Sequence, residues 1–175
     1  LLKTFVTTPM LEKIAKGFGV NVVNTPTGFK WMAQKLNTYE DDAILGIREK
    51  EGLGIDFENT DLFAKIDILS TYSRYVVLAA EESYGYLPID TVRDKDGNAS
   101  SLAFAETLSY LKSINVKPLD FLDKLYQKYG YHYEKTENIY FEGAEGSEKI
   151  KTIMSSHRKS PLKEINGVNV LKIKD

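Results

Sequence analysis

The alternation of short, β-branched apolar segments with helical segments is the feature that most constrains the fold of this chain. A strand pattern at 2–8 is followed by helical spacing at 10–18 and a second strand pattern at 20–23. A later apolar run, at 74–79, is typical of a buried central strand. The alternation extends to Gly130 and predicts an α/β fold. We expect a three-layer sandwich in which helices flank a mixed, mostly parallel four-stranded sheet.

The middle of the chain interrupts this alternation. A short helix is predicted at 29–36, and the charge-rich segment at 37–71 is predicted to be an irregular surface excursion with its own helix at 60–69. Regular patterns then return. They predict helices at 98–113 and 120–129, a tyrosine-rich strand-like segment at 130–143, a helix at 145–156 and a strand at 168–173.

Composition excludes several kinds of site and partner. The 175 residues contain no cysteine, which excludes disulfides, thiolate metal sites and cysteine nucleophiles and fits a reducing cytoplasm. The net charge of −2 favours neither nucleic acid nor an anionic membrane surface as a partner. No apolar run approaches the roughly 20 residues of a membrane-spanning helix. Because the chain begins with Leu1 inside a predicted strand, we expect it to be a piece of a longer protein.

The segment from Ala80 to Gly97 carries the most chemistry. Two adjacent carboxylates and a hydroxyl, Glu81 to Ser83, precede a glycine, and a charged cluster follows at 93–97. Carboxylates accept hydrogen bonds from sugar hydroxyls, and cations neutralise phosphate. The pattern therefore suits a polyhydroxylated, anionic ligand. Because charged residues are mostly exposed, these residues taken alone favour a solvated acidic turn.

Other candidate sites fail on spacing. The sequence from Asp94 to Asn98 looks like a calcium loop, but its glycine is at the fourth position rather than the sixth and no glutamate is at the twelfth. His132 and His157 lack the spacing of metal ligands. The tyrosines within 126–140 lack the interleaved basic residues of a nucleic-acid surface. No metal site is predicted.

Four segments, in this order, resemble the third domain of the α-D-phosphohexomutases, the family of phosphoglucomutases and phosphomannomutases. They are Lys-Thr-Phe-Val-Thr-Thr-Pro-Met at 3–10, Thr-Gly-Phe-Lys-Trp at 27–31, Glu-Glu-Ser-Tyr-Gly-Tyr at 81–86 and Val-Arg-Asp-Lys-Asp-Gly at 92–97. The sequence after residue 131, including 146–150, resembles the link into the family's fourth domain. The resemblance implies a third domain at 1–130 and a link with part of a fourth domain at 131–175.

The resemblance also implies a function. Members of this family move a phosphoryl group between C1 and C6 of a hexose through a phosphoserine and a hexose 1,6-bisphosphate. Carried over by position, the implied substrate-binding residues are Thr27, Gly28, Lys30, Glu81, Ser83, Arg93 and Lys95. Glu81 and Ser83 would bind ring hydroxyls, and Lys95 would stabilise the transferring phosphoryl group or exchange a proton with it.

The same resemblance implies that further parts of the enzyme are needed. The catalytic serine loop, the loop that holds Mg²⁺ and the phosphate-binding loop are not among the matching segments. We therefore expect this chain alone to be inactive, with a hexose phosphate, glucose 1,6-bisphosphate and the remaining domains of the parent as partners. Residues 31–80 form a longer connection than the family pattern leads us to expect, which predicts an insertion at about 37–72. Ala80 also departs from the glycine or aromatic residue that is common before the acidic pair.

Two other functions stay open at this stage. A non-catalytic sugar-phosphate-binding or regulatory module would use the same loops. A plain interaction domain would leave Glu81 and Glu82 as a solvated turn. The choice between glucose and mannose also stays open, because nothing in the sequence visibly contacts C2.

Overall fold

The chain divides into two compact units. The computed structural model describes residues 1–89 and 92–173, and contacts separate Leu1–Tyr133 from Glu134–Asp175. This division lies three residues from the predicted domain boundary after residue 130. The assignment of the two parts to a third and a fourth domain stays a prediction, and residues 174 and 175 of the predicted second part lie outside the described residues.

A four-stranded sheet with the order β2-β1-β3-β4 forms the centre of the first unit. Its strands are β1 (Leu2–Thr4), β2 (Val23–Thr25), β3 (Ala79–Glu81) and β4 (Gly85–Leu87). β1 is parallel to both β2 and β3, and β3 is antiparallel to β4. The predicted α/β fold with a mixed, mostly parallel sheet is confirmed.

The strands are shorter than the apolar patterns predicted. β1 ends at Thr4 because the chain turns there, with the Thr7 amide donating to the Thr4 carbonyl at 3.1 Å. The predicted strand at 74–79 is wrong for most of its length, since β3 begins only at Ala79. Tyr75 and Val76 instead pack against the core from an irregular segment. Their apolar character reflected burial rather than strand pairing.

Five helices accompany this sheet in the described part of the first unit. They are α1 (Met10–Gly17), α2 (Phe29–Glu51), α3 (Leu62–Tyr72), α4 (Gly97–Ser113) and α5 (Pro118–Tyr129). The predictions at 98–113 and 120–129 are confirmed to within two residues. α4 begins after Asp96, whose carboxylate accepts the Ala99 amide as an N-cap.

The prediction of an irregular surface excursion at 37–71 is wrong. α2 continues to Glu51, and its buried residues recur at helical spacing along one face: Phe29, Met32, Leu36, Tyr39, Ala43 and Ile47. The charged residues that suggested a surface excursion occupy the other positions of the helix. Phe57 and Leu69 join the same core as α2 and β1. The segment therefore helps to build the core, while its status as an insertion relative to the family stays a prediction.

The second unit contains one helix and a short hairpin. α6 (Gly143–Lys159) precedes β5 (Glu164–Ile165) and β6 (Val168–Asn169), which are antiparallel. Asn166 and Gly167 connect them with φ of 50° and 80°, as a type I′ turn requires. The strand-like prediction at 130–143 is wrong, since the residues from Gly130 to Glu142 form neither helix nor strand and no described strand pairs with them. None of the helices in the described residues is long and apolar enough to cross a membrane.

Candidate functional site

Three loops meet at the carboxyl edge of the parallel strands. Thr4 pairs with Thr25 in the register of β1 and β2, and β3 runs in the same direction as both. The turn after β1, the Pro26–Gly28 turn after β2 and the Glu82–Tyr84 turn after β3 therefore leave the sheet at one edge. Ligand sites of open α/β sheets lie at this edge.

An ion pair between a buried carboxylate and a partly exposed lysine joins two of the predicted site residues. Glu81, the last residue of β3, is 3% exposed, and its Oε1 lies 2.6 Å from Nζ of Lys95. The Lys95 side chain is 42% exposed and forms the outer part of the pair. Its Nζ also lies 5.3 Å from the ring centroid of Phe29, the first residue of α2. The hydrogen bond to Glu81 raises the pKa of Lys95, so its ammonium form is favoured.

Gly85 makes this arrangement possible. A Cβ at this position would lie 2.7 Å from Glu81 Cγ and 2.9 Å from Phe29 Cε2. Real Cβ atoms do not approach other heavy atoms so closely, so any larger residue would displace one of these side chains. The glycine of the acidic loop is thus required for close packing.

The second oxygen of Glu81 has no partner. Oε2 is buried and accepts no hydrogen bond from any described residue. An unsatisfied buried group of this kind costs about 1–3 kcal/mol, and more when it is charged. A donor supplied by a ligand would remove that cost, which makes this carboxylate a candidate binding group.

Glu82 is anchored to the neighbouring strand. Its Oε2 accepts hydrogen bonds from Thr4 Oγ1 at 2.7 Å and from Thr7 Oγ1 at 3.1 Å. Burial alone would raise the pKa of this carboxyl, but the hydrogen bonds from Thr4, from its own amide, from Thr7 and from Ser83 outweigh burial and lower the pKa. Glu82 is therefore held in its ionised form.

The remaining predicted residues lie at the surface. Ser83 is exposed in the turn, and its Oγ lies 3.4 Å from Glu82 Oε1. Thr27 is exposed, and Gly28 adopts a φ of 114° immediately before α2. Lys30 is exposed, with its Nζ 5.0 Å from the ring centroid of Trp31. Because Phe29 contacts Lys95, the start of α2 lies beside the Glu81–Lys95 pair.

Arg93 interacts with α2 at a different place. Its guanidinium forms an ion pair with Glu40 and a hydrogen bond with Asn37. Asn37 is eight residues beyond Phe29, which corresponds to about 12 Å along the helix. Arg93 therefore interacts with α2 away from the Phe29 end of the helix. The contact of Arg93 with substrate stays a prediction.

Comparisons with known proteins show which family this chain resembles. Residues 1–58 match the family described as "Phosphoglucomutase/phosphomannomutase, alpha/beta/alpha domain III". This part of the chain is therefore similar to the third domain of that family. The matched residues form β1, α1, β2 and α2, the part of the fold that carries the Thr4–Thr7 turn and the Thr27–Gly28 turn.

Similarity to curated relatives extends beyond residue 58. A "Phosphoglucomutase" of Staphylococcus aureus strain MRSA252 is 27% identical over all 175 residues, which cover 26% of that protein. A human "Glucose 1,6-bisphosphate synthase" is 32% identical over 136 residues, 78% of this chain and 17% of that protein. The chain thus spans about a quarter or less of the length of these relatives. No solved structure matches it significantly.

Sequence reasoning missed four residues that shape this site. Phe29 and Gly85 surround the Glu81–Lys95 pair, while Thr4 and Thr7 bind Glu82. All four lie inside the matching segments, so the motifs contained the signal. Their roles are contacts between distant parts of the chain, and a linear pattern does not state which residues meet.

Metal-ligating residues are not clustered in the described part of the chain. Among residues 1–89 and 92–173, no group of three or more histidine or acidic side chains could hold a metal ion. Glu81, the buried acid of the site, is paired with a lysine, which is unfavourable for a cation. The described residues therefore offer no site that fits Mg²⁺.

Proposed function

We propose that this chain is the sugar-phosphate recognition part of an enzyme that transfers a phosphoryl group between C1 and C6 of a hexose. The observation that carries the proposal is the Glu81 carboxylate. One of its oxygens pairs with Lys95, and the second is buried without a hydrogen-bond partner among residues 1–89 and 92–173. The similarity to a phosphoglucomutase and to a glucose 1,6-bisphosphate synthase supports it. A hexose phosphate supplies both a hydroxyl donor and an anion.

The chemistry of the pair matches such a ligand. A sugar hydroxyl would donate to Glu81 Oε2, and hydrogen bonds to charged groups contribute about 1.5–3 kcal/mol each. The neighbouring Lys95 ammonium would stabilise negative charge on the phosphoryl group, the main contribution that proteins make to phosphoryl transfer. Its raised pKa keeps Lys95 charged at neutral pH.

Ligand binding requires a rearrangement of Lys95. Glu81 is almost fully buried, whereas Lys95 is 42% exposed on the outer side of the pair. Because Oε2 is buried, a hydroxyl can reach it only after a neighbouring side chain moves, and we propose that the partly exposed Lys95 moves outward. The same outward movement would bring the ammonium towards the phosphate. We propose that this exchange of partners accompanies substrate binding.

Other loops at the edge would complete the recognition. The first amides of α2 follow Gly28, and helix N-termini favour anions. We place Thr27, Gly28 and Lys30 near the phosphate and Ser83 near a hydroxyl. A carboxylate and a hydroxyl can each bind a ring hydroxyl in either orientation, which suits a bisphosphate intermediate that turns over between two half-reactions. Arg93 remains a weaker candidate because Glu40 already engages it.

The whole parent protein would supply the remaining chemistry. We propose a cytoplasmic enzyme that carries a phosphoserine, uses Mg²⁺ held by residues outside this chain and takes glucose 1,6-bisphosphate as its intermediate. Mg²⁺, when bound, would neutralise charge on the transferring phosphoryl group. This chain alone would bind its ligand weakly, because the contacts of the other domains are missing.

A binding titration with an activity control tests the proposal. Glucose 1,6-bisphosphate added to the ¹⁵N-labelled chain should shift the amides of Glu81, Ser83 and Lys95, while glucose at the same concentration should shift them far less. A coupled assay that converts glucose 1-phosphate to glucose 6-phosphate should give no turnover. Shifts confined to other regions would refute the sugar-phosphate site, and turnover by this chain would refute its role as a recognition part.

A further inference from the structure

Glu82 occupies the junction between two of the loops at the carboxyl edge. It follows Glu81 directly, and its carboxylate reaches across to β1, the strand beside β3. Thr4 Oγ1 and Thr7 Oγ1 lie 2.7 Å apart, and both lie within hydrogen-bond distance of Glu82 Oε2. The first residue of the Glu82–Tyr84 turn is therefore tied to a strand that is distant in sequence.

The two hydroxyls supply two protons for three short contacts. Both threonines can donate to Glu82, or one can donate to the other while the second donates to Glu82. In each arrangement the carboxylate is the final acceptor. An ionised carboxylate accepts such bonds more strongly than a neutral amide does. The charge of Glu82, and not only its shape, stabilises the contact.

A buried lysine fixes the threonines in turn. Lys3 is completely buried, and its Nζ donates to the Thr7 carbonyl at 2.9 Å and to the Thr4 carbonyl at 3.2 Å. The same ammonium pairs with Glu12 of α1 at 3.2 Å. The turn after β1 is thus a rigid platform, and Glu82 is the point at which the Glu82–Tyr84 turn attaches to it.

The turn that Glu82 anchors is not relaxed on its own. Tyr84 has a φ of 57°, in the left-handed region that tyrosine rarely adopts, and its side chain is 95% exposed. Because the Tyr84 side chain is exposed, packing of that side chain does not hold the backbone in this conformation. The anchor at Glu82 and the pairing of β4 with β3 are the contacts that keep the turn in this conformation.

We propose that Glu82 is a positioning residue, which uses Thr4 and Thr7 to hold Ser83 and Tyr84 in the geometry that binds a sugar. The ligand named here rests on the proposed function above. In this proposal Glu82 does not itself contact the sugar, since the two threonines occupy its Oε2 and Ser83 Oγ lies 3.4 Å from its Oε1. Its effect on binding passes through the turn that it holds.

The test combines amide hydrogen exchange without ligand and titration with glucose 1,6-bisphosphate. In Glu82→Gln, exchange at Ser83 and Tyr84 should accelerate about tenfold, as expected when charge-assisted hydrogen bonds are replaced by weaker neutral ones. Ligand affinity should fall by a similar factor, while exchange within α4 stays unchanged. Glu106→Gln, at an exposed position of α4, removes the same charge and should change neither quantity.

Variants of Thr4 separate positioning from a general loss of stability. Thr4→Val removes the hydroxyl at nearly constant volume and should reproduce the effect of Glu82→Gln, whereas Thr4→Ser keeps the hydroxyl and should restore both exchange and affinity. Unchanged exchange in Glu82→Gln, or faster exchange with unchanged affinity, would overturn the proposal. If the parent chain itself fails to respond to the bisphosphate, the proposed function fails, and exchange alone decides whether Glu82 holds the turn.

Discussion

Gly85 and Lys95 lie so close together that a Cβ at Gly85 would stand 2.7 Å from Lys95 Cε. Because Gly85 has no side chain, the Lys95 side chain can pass over the start of β4 and reach Glu81. The glycine is therefore part of the site, although it carries no functional group.

Gly85→Ala should break this packing. The new methyl group would also meet Glu81 Cγ and Phe29 Cε2, and overpacking of this kind costs about 1–3 kcal/mol. We expect urea denaturation to show a loss in that range and the titration with glucose 1,6-bisphosphate to show weakened binding. Gly54→Ala is the matched control, because nothing lies within 4 Å of a Cβ there. Equal effects of the two substitutions would contradict the packing role of Gly85.

The Glu81–Lys95 pair should show strong coupling in a double-mutant cycle. Lys95→Met leaves a buried carboxylate without its cation and should lower the free energy of unfolding by about 1–3 kcal/mol. Glu81→Gln removes the charge, so adding Lys95→Met to it should cost much less. Urea denaturation of the four proteins measures the difference. Additive effects would show that the ion pair contributes nothing to the folded state.

The alternation of strand and helix patterns predicted the fold class, and the resemblance indicated Glu81 and Lys95 as site residues. Both predictions depend on residues that are close in sequence or fixed by a family pattern. Neither pattern predicted that Arg93 forms an ion pair with Glu40 of α2, since that contact joins residues 53 positions apart in the sequence. Contacts of this kind depend on tertiary packing. The roles of Ser83, Thr27 and Lys30 stay predictions, because they are surface residues whose partners would come from a ligand.

The long α2 helix shows the same limit for the fold. Its pattern of buried residues at 29, 32, 36, 39, 43 and 47 was present in the sequence. The charged run from Glu40 to Asp42 concealed it, because charge suggested a loop when the helical period pointed to one continuous face. Periodicity would have been the better guide there than local composition.

Leu69→Ala tests whether the 37–71 segment belongs to the core. Leu69 is 6% exposed and packs in the cluster that includes α2 and β1, so its truncation should cost about 2–5 kcal/mol. Leu45→Ala is the same substitution at a position that is 52% exposed, and it should change stability by less than about 1 kcal/mol. Thermal or urea denaturation measures both. If both substitutions cause similarly small losses of stability, the segment at 37–71 does not belong to the core.

The carboxyl of Glu82 should contribute stability that depends on pH. Its pKa is lower in the folded chain than the ordinary value of about 4.3, so folding favours its ionised form. This contribution is fully present above the ordinary pKa and is lost as the pH falls through the lower, folded-state pKa. The difference in unfolding free energy between the parent chain and Glu82→Gln should therefore be constant from pH 7 to pH 5 and should shrink below pH 4. Because Glu82 is exposed, solvent screening should keep this difference below about 1 kcal/mol. Urea denaturation at each pH measures this difference, and Glu106→Gln is the control. A difference that stays constant or grows in acid would show that the threonine hydrogen bonds do not depend on the charge of Glu82.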